Sequence, residues 1–345
     1  MSSNPRLDRA VAAFECLAVG DALGLPAEYH RTAREPWLRG ALWSGTIALD
    51  EERVSRPLVP FGLTLDTGTM TGTDDIESLA LAARVMAGAD LGIDALFDRW
   101  RELFDADEWA GPAERIAATN AARGLRPPVT GTDNPARGDD SAVPAAVAAG
   151  VRFAGDPTGA AALAAAYAGI AHADDGVWAP AVMAAAIAAL VDGGDLDDAL
   201  SFARSLAPTG SWLDASFDAV EPVAGAGGPA FARLPALLAA LGTRDYSHPA
   251  LAARTVPAAF AIIRSTGGRL AEALPLALSV SRLSDSLPAL VGALAGASGE
   301  RIPPGWDADW RGGTLGDLGT VGGVLQPQLR GLVLSDLARA LIFPK

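Results

Sequence analysis

The residues able to do chemistry in this chain sit in short polar clusters, each next to an apolar, alanine-rich run. GTDDIESLALAARV, residues 72–85, places Thr73, Asp74 and Asp75 side by side. One such oxygen is enough to cap a helix by accepting from the free N–H groups of its first turn, which makes Thr73 or Asp74 the expected cap. Three hard oxygen donors in a row also suit Mg²⁺ or Mn²⁺. In VGDALGLPAE, residues 19–28, a helix running into Gly20-Asp21 is expected to break at Gly24 and Pro26. That leaves Glu28 on a loop, where it is either solvated or held at a cleft edge as a general base that positions water.

Similar clusters recur. NPARGDDSAVPAAVAAG, residues 134–150, has Gly138 for a tight turn, then Asp139, Asp140 and Ser141 opening a helix. These residues are either caps favoured by the helix dipole or polar contacts to a sugar or a metal-held water. AHADDGVWAPAVMAAAIAAL, residues 171–190, carries His172, Asp174 and Asp175. SRLSDSLPALVGALAGA, residues 281–297, carries Asp285 and Ser286 at a helix start, with Pro288 in the tolerated first turn. Each cluster alone reads as a cap. Together they suggest helix ends converging on one acidic cleft, where mutual repulsion calls for a divalent cation.

Other chemistries lack their signatures. The chain has three histidines and no H-E-x-x-H spacing for zinc. It has no nucleophile elbow for a serine triad, no phosphate-binding G-x-x-x-x-G-K-[ST], and no G-x-G-x-x-G after a convincing strand.

The elements that must position these clusters read as helices. Apolar residues recur at i, i+3, i+4, i+7 spacing in Leu7 to Ala18, Ile76 to Ala83, Ala181 to Leu190, Pro257 to Ile263 and Leu287 to Leu294. Trp43 to Leu49 is the best strand candidate. Residues 124–138, 221–230 and 302–323 read as long Gly- and Pro-rich loops. No linker or fixed-period repeat appears, so the expectation is a single all-α domain over residues 1–345.

Composition narrows the partners. Net charge is −14, from 41 acids against 27 Lys and Arg, which argues against a nucleic-acid backbone or an anionic membrane as partner. Cys16 is the one cysteine, so no intrachain disulfide can form, as suits a reducing compartment. The N-terminal MSSNPRLDRAVAAFE is too charged for a signal peptide, and the apolar run Val177 to Val191 falls short of a membrane span. A cytoplasmic protein is expected.

GDALGLPAE, TDD before an LALA helix, AH before an alanine-rich helix, and SDS followed by GALAGASGERIPPGW occur here in that order. This order resembles the ADP-ribosylglycohydrolase family, over roughly Leu7 to Trp306 and most weakly around Thr209 to Tyr246. The resemblance implies a compact all-α orthogonal bundle with a binuclear Mg²⁺ or Mn²⁺ centre. It also implies hydrolysis of a glycosidic bond between ADP-ribose and a protein side chain or small molecule. By position, it assigns Thr73, Asp74, Asp75, Asp285 and Ser286 to the metal, and Glu28 and Asp75 to catalysis. It also places His172 at the substrate, and the residues themselves offer Asp21, Gly138, Asp139, Asp140, Ser141 and Arg282 for substrate binding.

The chain departs from the family pattern at its last metal motif. Where the family has Gly-Gly-Asp-Thr-Asp-Thr, this chain has Ser281-Arg282-Leu283-Ser284-Asp285-Ser286. Leu283 cannot coordinate an ion, so one ion is expected rather than two. In addition, Ile76 ends the usual TDDT, Ala171 replaces a threonine before His172, and GDDSAVP stands where the family has a GNGAAMR-like run. Two functional readings follow. One is a metal-dependent hydrolase of an ADP-ribosyl or ribosyl substrate with an altered metal site. The other is an impaired relative that binds ADP-ribose or a nucleotide without hydrolysis, with Trp306 and Trp310 available to stack on a base.

Overall fold

Apolar periodicity and abundant alanine resolve, among the described residues, into fifteen α-helices in the computed structural model. It describes residues 4–32, 69–70, 72–108, 110–242, 250–280, 286–303, 314–315, 319–322 and 326–344. In order these are α1 (Pro5–Thr32), α2 (Asp74–Met86), α3 (Ile93–Leu103), α4 (Pro112–Ala122), α5 (Val129–Thr132), α6 (Val143–Arg152), α7 (Pro157–Ala168) and α8 (Asp175–Asp192). There follow α9 (Leu196–Arg204), α10 (Trp212–Ala224), α11 (Leu234–Leu241), α12 (Ala252–Thr266), α13 (Leu270–Ala277), α14 (Ser286–Ser298) and α15 (Leu334–Ile342). Among the described residues, extended pairing is confined to two short parallel strands, β1 (Thr69–Met70) and β2 (Thr314–Leu315), plus two isolated bridges. The strand candidate Trp43 to Leu49 lies outside the described residues.

The break expected at Gly24 and Pro26 does not occur: α1 runs through both residues to Thr32. Glu28 is therefore on a helix, not a loop. Proline removes the backbone bond to the carbonyl four residues earlier and its ring crowds that carbonyl, a local penalty that does not end α1. The face of α1 from Ala10 to Val19 is buried against α14.

That contact is close because its seam is made of small residues. A Cβ added to Gly292 would lie 2.1 Å from the Cys16 carbonyl oxygen, and one on Gly20 would lie 2.1 Å from that of Pro288. Gly296 meets the Ala12 carbonyl in the same way, at 2.2 Å. Positions 12, 16 and 20 of α1 thus interlock with 288, 292 and 296 of α14, both at the four-residue repeat of one helix face. Cys16 is buried in this seam.

α8 forms the centre of the core and packs on α6, α7, α9, α12 and α14. Asp175, Gly176 and Asp192 extend the apolar run to 18 residues, so by length and composition α8 is long and apolar enough to cross a membrane. In the fold, 67% of that window is buried inside the protein. Of the expected loops, residues 124–138 contain α5, and residues 221–230 begin inside α10, which continues through Pro222.

Candidate functional site

A helix start leaves backbone N–H groups without partners. At α2 the local sequence offers Thr73 and Asp74 for that task, yet Thr73, at the N-cap, makes no side-chain cap bond. The cap comes from α1: Asp21 accepts from the Thr73 N–H at 2.7 Å and from the Ile76 N–H at 3.0 Å. The Thr73 hydroxyl also donates to Asp21, at 2.5 Å, and lies 3.1 Å from the Asp74 carboxylate. Burial pushes the Asp21 carboxyl up to about 7 against these hydrogen bonds, and the charge of Asp74 adds to the rise. The cap on α2 is therefore supplied by Asp21, from a different helix. Burial also raises the Asp74 carboxyl, with the charge of Asp139 contributing.

A second array faces this helix end. Asn134 donates to the Ala113 carbonyl at 2.9 Å and to the Ala171 carbonyl at 2.8 Å. It thereby ties the start of α4, which carries Glu114, to the turn that carries His172. Two glycines permit the close packing around that turn. A Cβ on Gly131 would meet the His172 carbonyl at 2.3 Å, and one on Gly176 would meet the Arg137 carbonyl at 2.0 Å.

His172 Nε2 lies 2.8 Å from the Asp139 carboxylate and 3.1 Å from the Ser141 hydroxyl. Its Nδ1 is buried without a partner, which places the proton on Nε2. Burial disfavours the charged ring, but the hydrogen bond and charge of Asp139 prevail and raise the His172 pKa. Burial likewise pushes Asp139 upward, but the His172 hydrogen bond and charge prevail and hold it low. Ser141 also reaches Glu114, at 2.6 Å, and Ser78 of α2 donates to the Ser141 carbonyl at 3.0 Å. The Asp139 turn is therefore fastened directly to the helix of Asp74 and Asp75.

Asp140 points elsewhere and accepts from the Thr255 hydroxyl of α12 at 2.6 Å. Burial raises the Asp140 carboxyl to about 6, opposed by Thr255 and aided by the charge of Asp139. The folded state thus holds this proton more tightly than the unfolded chain. The associated stability is complete below about pH 4 and is lost as pH rises through about 6. Asp140→Asn is expected to remove that slope and to gain up to about 2–3 kcal/mol at pH 7, with little gain at pH 4. Denaturant melts of both proteins across this range check it.

Several expectations change form in three dimensions. Asp139, Asp140 and Ser141 do not open a helix: α6 starts at Val143 after a turn closed by the Val143 N–H on the Asp140 carbonyl. Gly138 is not demanded by that turn, since its φ is not positive and a Cβ there would meet nothing within 4 Å. Asp174 pairs with Arg137, and Asp175 accepts from the Leu213 N–H. Ser286 is buried as the first residue of α14. Arg282, Leu283 and Asp285, and also Trp306 and Trp310, lie outside the described residues, as does the Glu28 side chain.

The donor set at the start of α2 is all hard oxygen, as Mg²⁺ or Mn²⁺ requires, and so fits such an ion in kind. Among the described residues no three His, Cys, Asp or Glu side chains converge to hold a metal by themselves. Residues 73–75 would therefore supply only part of a coordination shell.

Glu114, Asn134 and Thr255 are missed by the sequence reading. Glu114 looks like an ordinary first-turn acid in GPAERIAATN, and a lone Asn or Thr carries no spacing signal. Glu114 borders a cavity of about 70 Å³ between α2, α3 and α7, with Asp74, Asp75 and Ser78 on one wall and Trp100 and Tyr167 on another.

Comparison with known proteins agrees with this architecture. A solved structure titled "ADP-ribosylglycohydrolase-related protein complex" superposes with a TM-score of 0.60 over 98% of both chains, at 22% sequence identity, and so shares the fold. No curated protein matches the chain. The family model described as ADP-ribosylglycohydrolase matches residues 2–336, nearly the whole length, and the chain belongs to the ADP-ribosylglycohydrolase family.

Proposed function

We propose that this chain is a divalent-metal-dependent hydrolase that cleaves the glycosidic bond of an ADP-ribosylated or ribosylated substrate. The observation that carries the reading is the capping of α2 by Asp21 of α1, which sets the adjacent acids Asp74 and Asp75 beside the braced Asp139–His172 pair. Acids that were merely structural would be expected to cap their own helix.

In this reading Thr73, Asp74 and Asp75, with Asp285 and Ser286, hold one Mg²⁺ or Mn²⁺. When bound, the ion supplies Lewis acidity and a fixed point for ribose hydroxyls. Leu283 in place of a carboxylate favours one ion over two. Glu28 and Asp75 orient the attacking water toward the anomeric carbon and take its proton. The turn from Gly138 to Ser141 and His172 binds the sugar–phosphate part, because its polar atoms are held rigidly by Glu114, Asn134 and Ser78. Arg282 adds a cation for a substrate phosphate. The site lies in an acidic chain and takes a small ADP-ribosyl group rather than a nucleic-acid backbone; the reading places the protein in the cytoplasm.

Leu283 also motivates a second reading, in which the cleft binds ADP-ribose without turnover. Calorimetry with Mg²⁺ and Mn²⁺ on the wild type and on Asp75→Ala separates the two. The proposal expects specific binding of one ion that the variant loses, together with hydrolysis of ADP-ribosylated arginine or serine or of a small riboside. No binding at millimolar metal would overturn the metal-dependent mechanism. Metal binding without hydrolysis would favour the second reading.

A further inference from the structure

Four side chains of the second array have more close contacts than their fixed protons can satisfy. Ser141 Oγ is 2.6 Å from Glu114 Oε1, 2.9 Å from Asp139 Oδ1 and 3.1 Å from His172 Nε2, and that nitrogen is 2.8 Å from Asp139 Oδ1. A hydroxyl carries one proton and Nε2 carries one. Suppose both carboxyls are ionised. Ser141 then donates to Glu114 or to Asp139, but not to both. The remaining oxygen–oxygen contact sets lone pair against lone pair inside the protein, where such repulsion is poorly screened.

One more proton removes the conflict. We infer that Glu114 rests as a neutral carboxylic acid that donates from Oε1 to Ser141, which donates in turn to Asp139, the single anion facing His172. Every one of these contacts then has a donor and an acceptor, the Nε2 proton being shared between Asp139 and Ser141.

A second observation is independent of that count. Glu114 Oε2 is buried and has no hydrogen-bond partner. An ionised carboxylate with one bare, buried oxygen is costly, whereas the carbonyl oxygen of a neutral acid tolerates the same position far better. The surroundings agree. The titratable groups that border the cavity or contact Glu114 are Asp74, Asp75 and Glu77 of α2, Tyr167 of α7, Asp139 and His172. His172 is the one group among these that can carry a positive charge, and Asp139 already engages it at hydrogen-bond distance. Burial and the charge of Asp139 push the Glu114 carboxyl upward, against the opposing pull of His172.

Glu114 is therefore a positioning residue. Its proton aims the Ser141 hydroxyl at Asp139 and fixes the 139–141 turn against α2. This protonation state belongs to the resting protein and does not depend on turnover.

Isotope-edited infrared spectroscopy at pH 7, on protein carrying ¹³C at its glutamate side-chain carboxyls, tests it. A protonated-carboxyl band is expected in the wild type and is lost in Glu114→Gln, whose amide keeps a donor for Ser141. Ser141→Ala, which leaves the glutamate in place and removes its acceptor, shifts the same band. The inference is overturned if the wild-type and Glu114→Gln spectra superimpose in the protonated-carboxyl region, or if Ser141→Ala leaves the band unmoved. Should Glu114→Gln not fold, the Ser141→Ala spectrum decides alone.

Discussion

Asp21→Ala is expected to lower the unfolding free energy by about 3–5 kcal/mol and to abolish function at the cleft. The Thr73 and Ile76 amides and the Thr73 hydroxyl all lose their acceptor. Each such loss costs about 1–3 kcal/mol, and the low half of that range applied to all three gives the expected value.

The functional effect follows from position. Without Asp21, Asp74 becomes the nearest acceptor for the amides of its own helix and turns toward the task that Asp21 performs. Asp21→Asn is the informative contrast. Its oxygen still accepts from the backbone, and the Thr73 hydroxyl is redirected to Asp74, already 3.1 Å away. Its cost is about 1 kcal/mol. Urea unfolding of the three proteins at one pH, with Mg²⁺ calorimetry on each, measures both effects. Equal losses in the two variants would show that Asp21 acts through bulk or charge and not as a cap.

Gly292→Ala is the second large effect. A Cβ at 2.1 Å from the Cys16 carbonyl oxygen cannot be accommodated by a side-chain shift, because the obstacle is backbone. α1 and α14 must separate, and the interlocked seam on both sides of the contact loosens with them. A loss of about 3 kcal/mol is expected, at the upper end for overpacking. Gly138→Ala is the stability control. It has open space and an ordinary φ, and is expected to change stability by no more than about 0.5 kcal/mol. Because α1 carries Asp21, separation at the seam should also weaken the cap on α2. Hydrogen exchange at the Ile76 amide would then quicken in Gly292→Ala but not in Gly138→Ala.

Helical periodicity made α2, α8, α12 and α14 legible, because a buried stripe repeats with the turn of the helix whatever it packs against. The acid clusters were equally legible as residue types. What each acid does was not. Asp74 and Asp140 look alike in sequence, both beside a second Asp before an alanine-rich run. One stands at a helix start beside the Thr73 hydroxyl, and the other is committed to Thr255, more than a hundred residues away. Asp21 looked like a helix terminus and caps a different helix. Pro26 looked like a stop, and α1 passes through it. Glu114 carried no signal at all, and Asn134 acquires its meaning only from the two carbonyls it joins.

The sequence by itself determined the helical class, the family and the oxygen-rich chemistry of the clusters, since these depend on local spacing and on the order of short motifs. The tertiary structure alone decided which carboxylate caps, which is braced by a histidine and which accepts from a remote hydroxyl. The physical reason is that a buried carboxylate's role is set by the donors and charges that surround it, and here those come from helices remote in the chain.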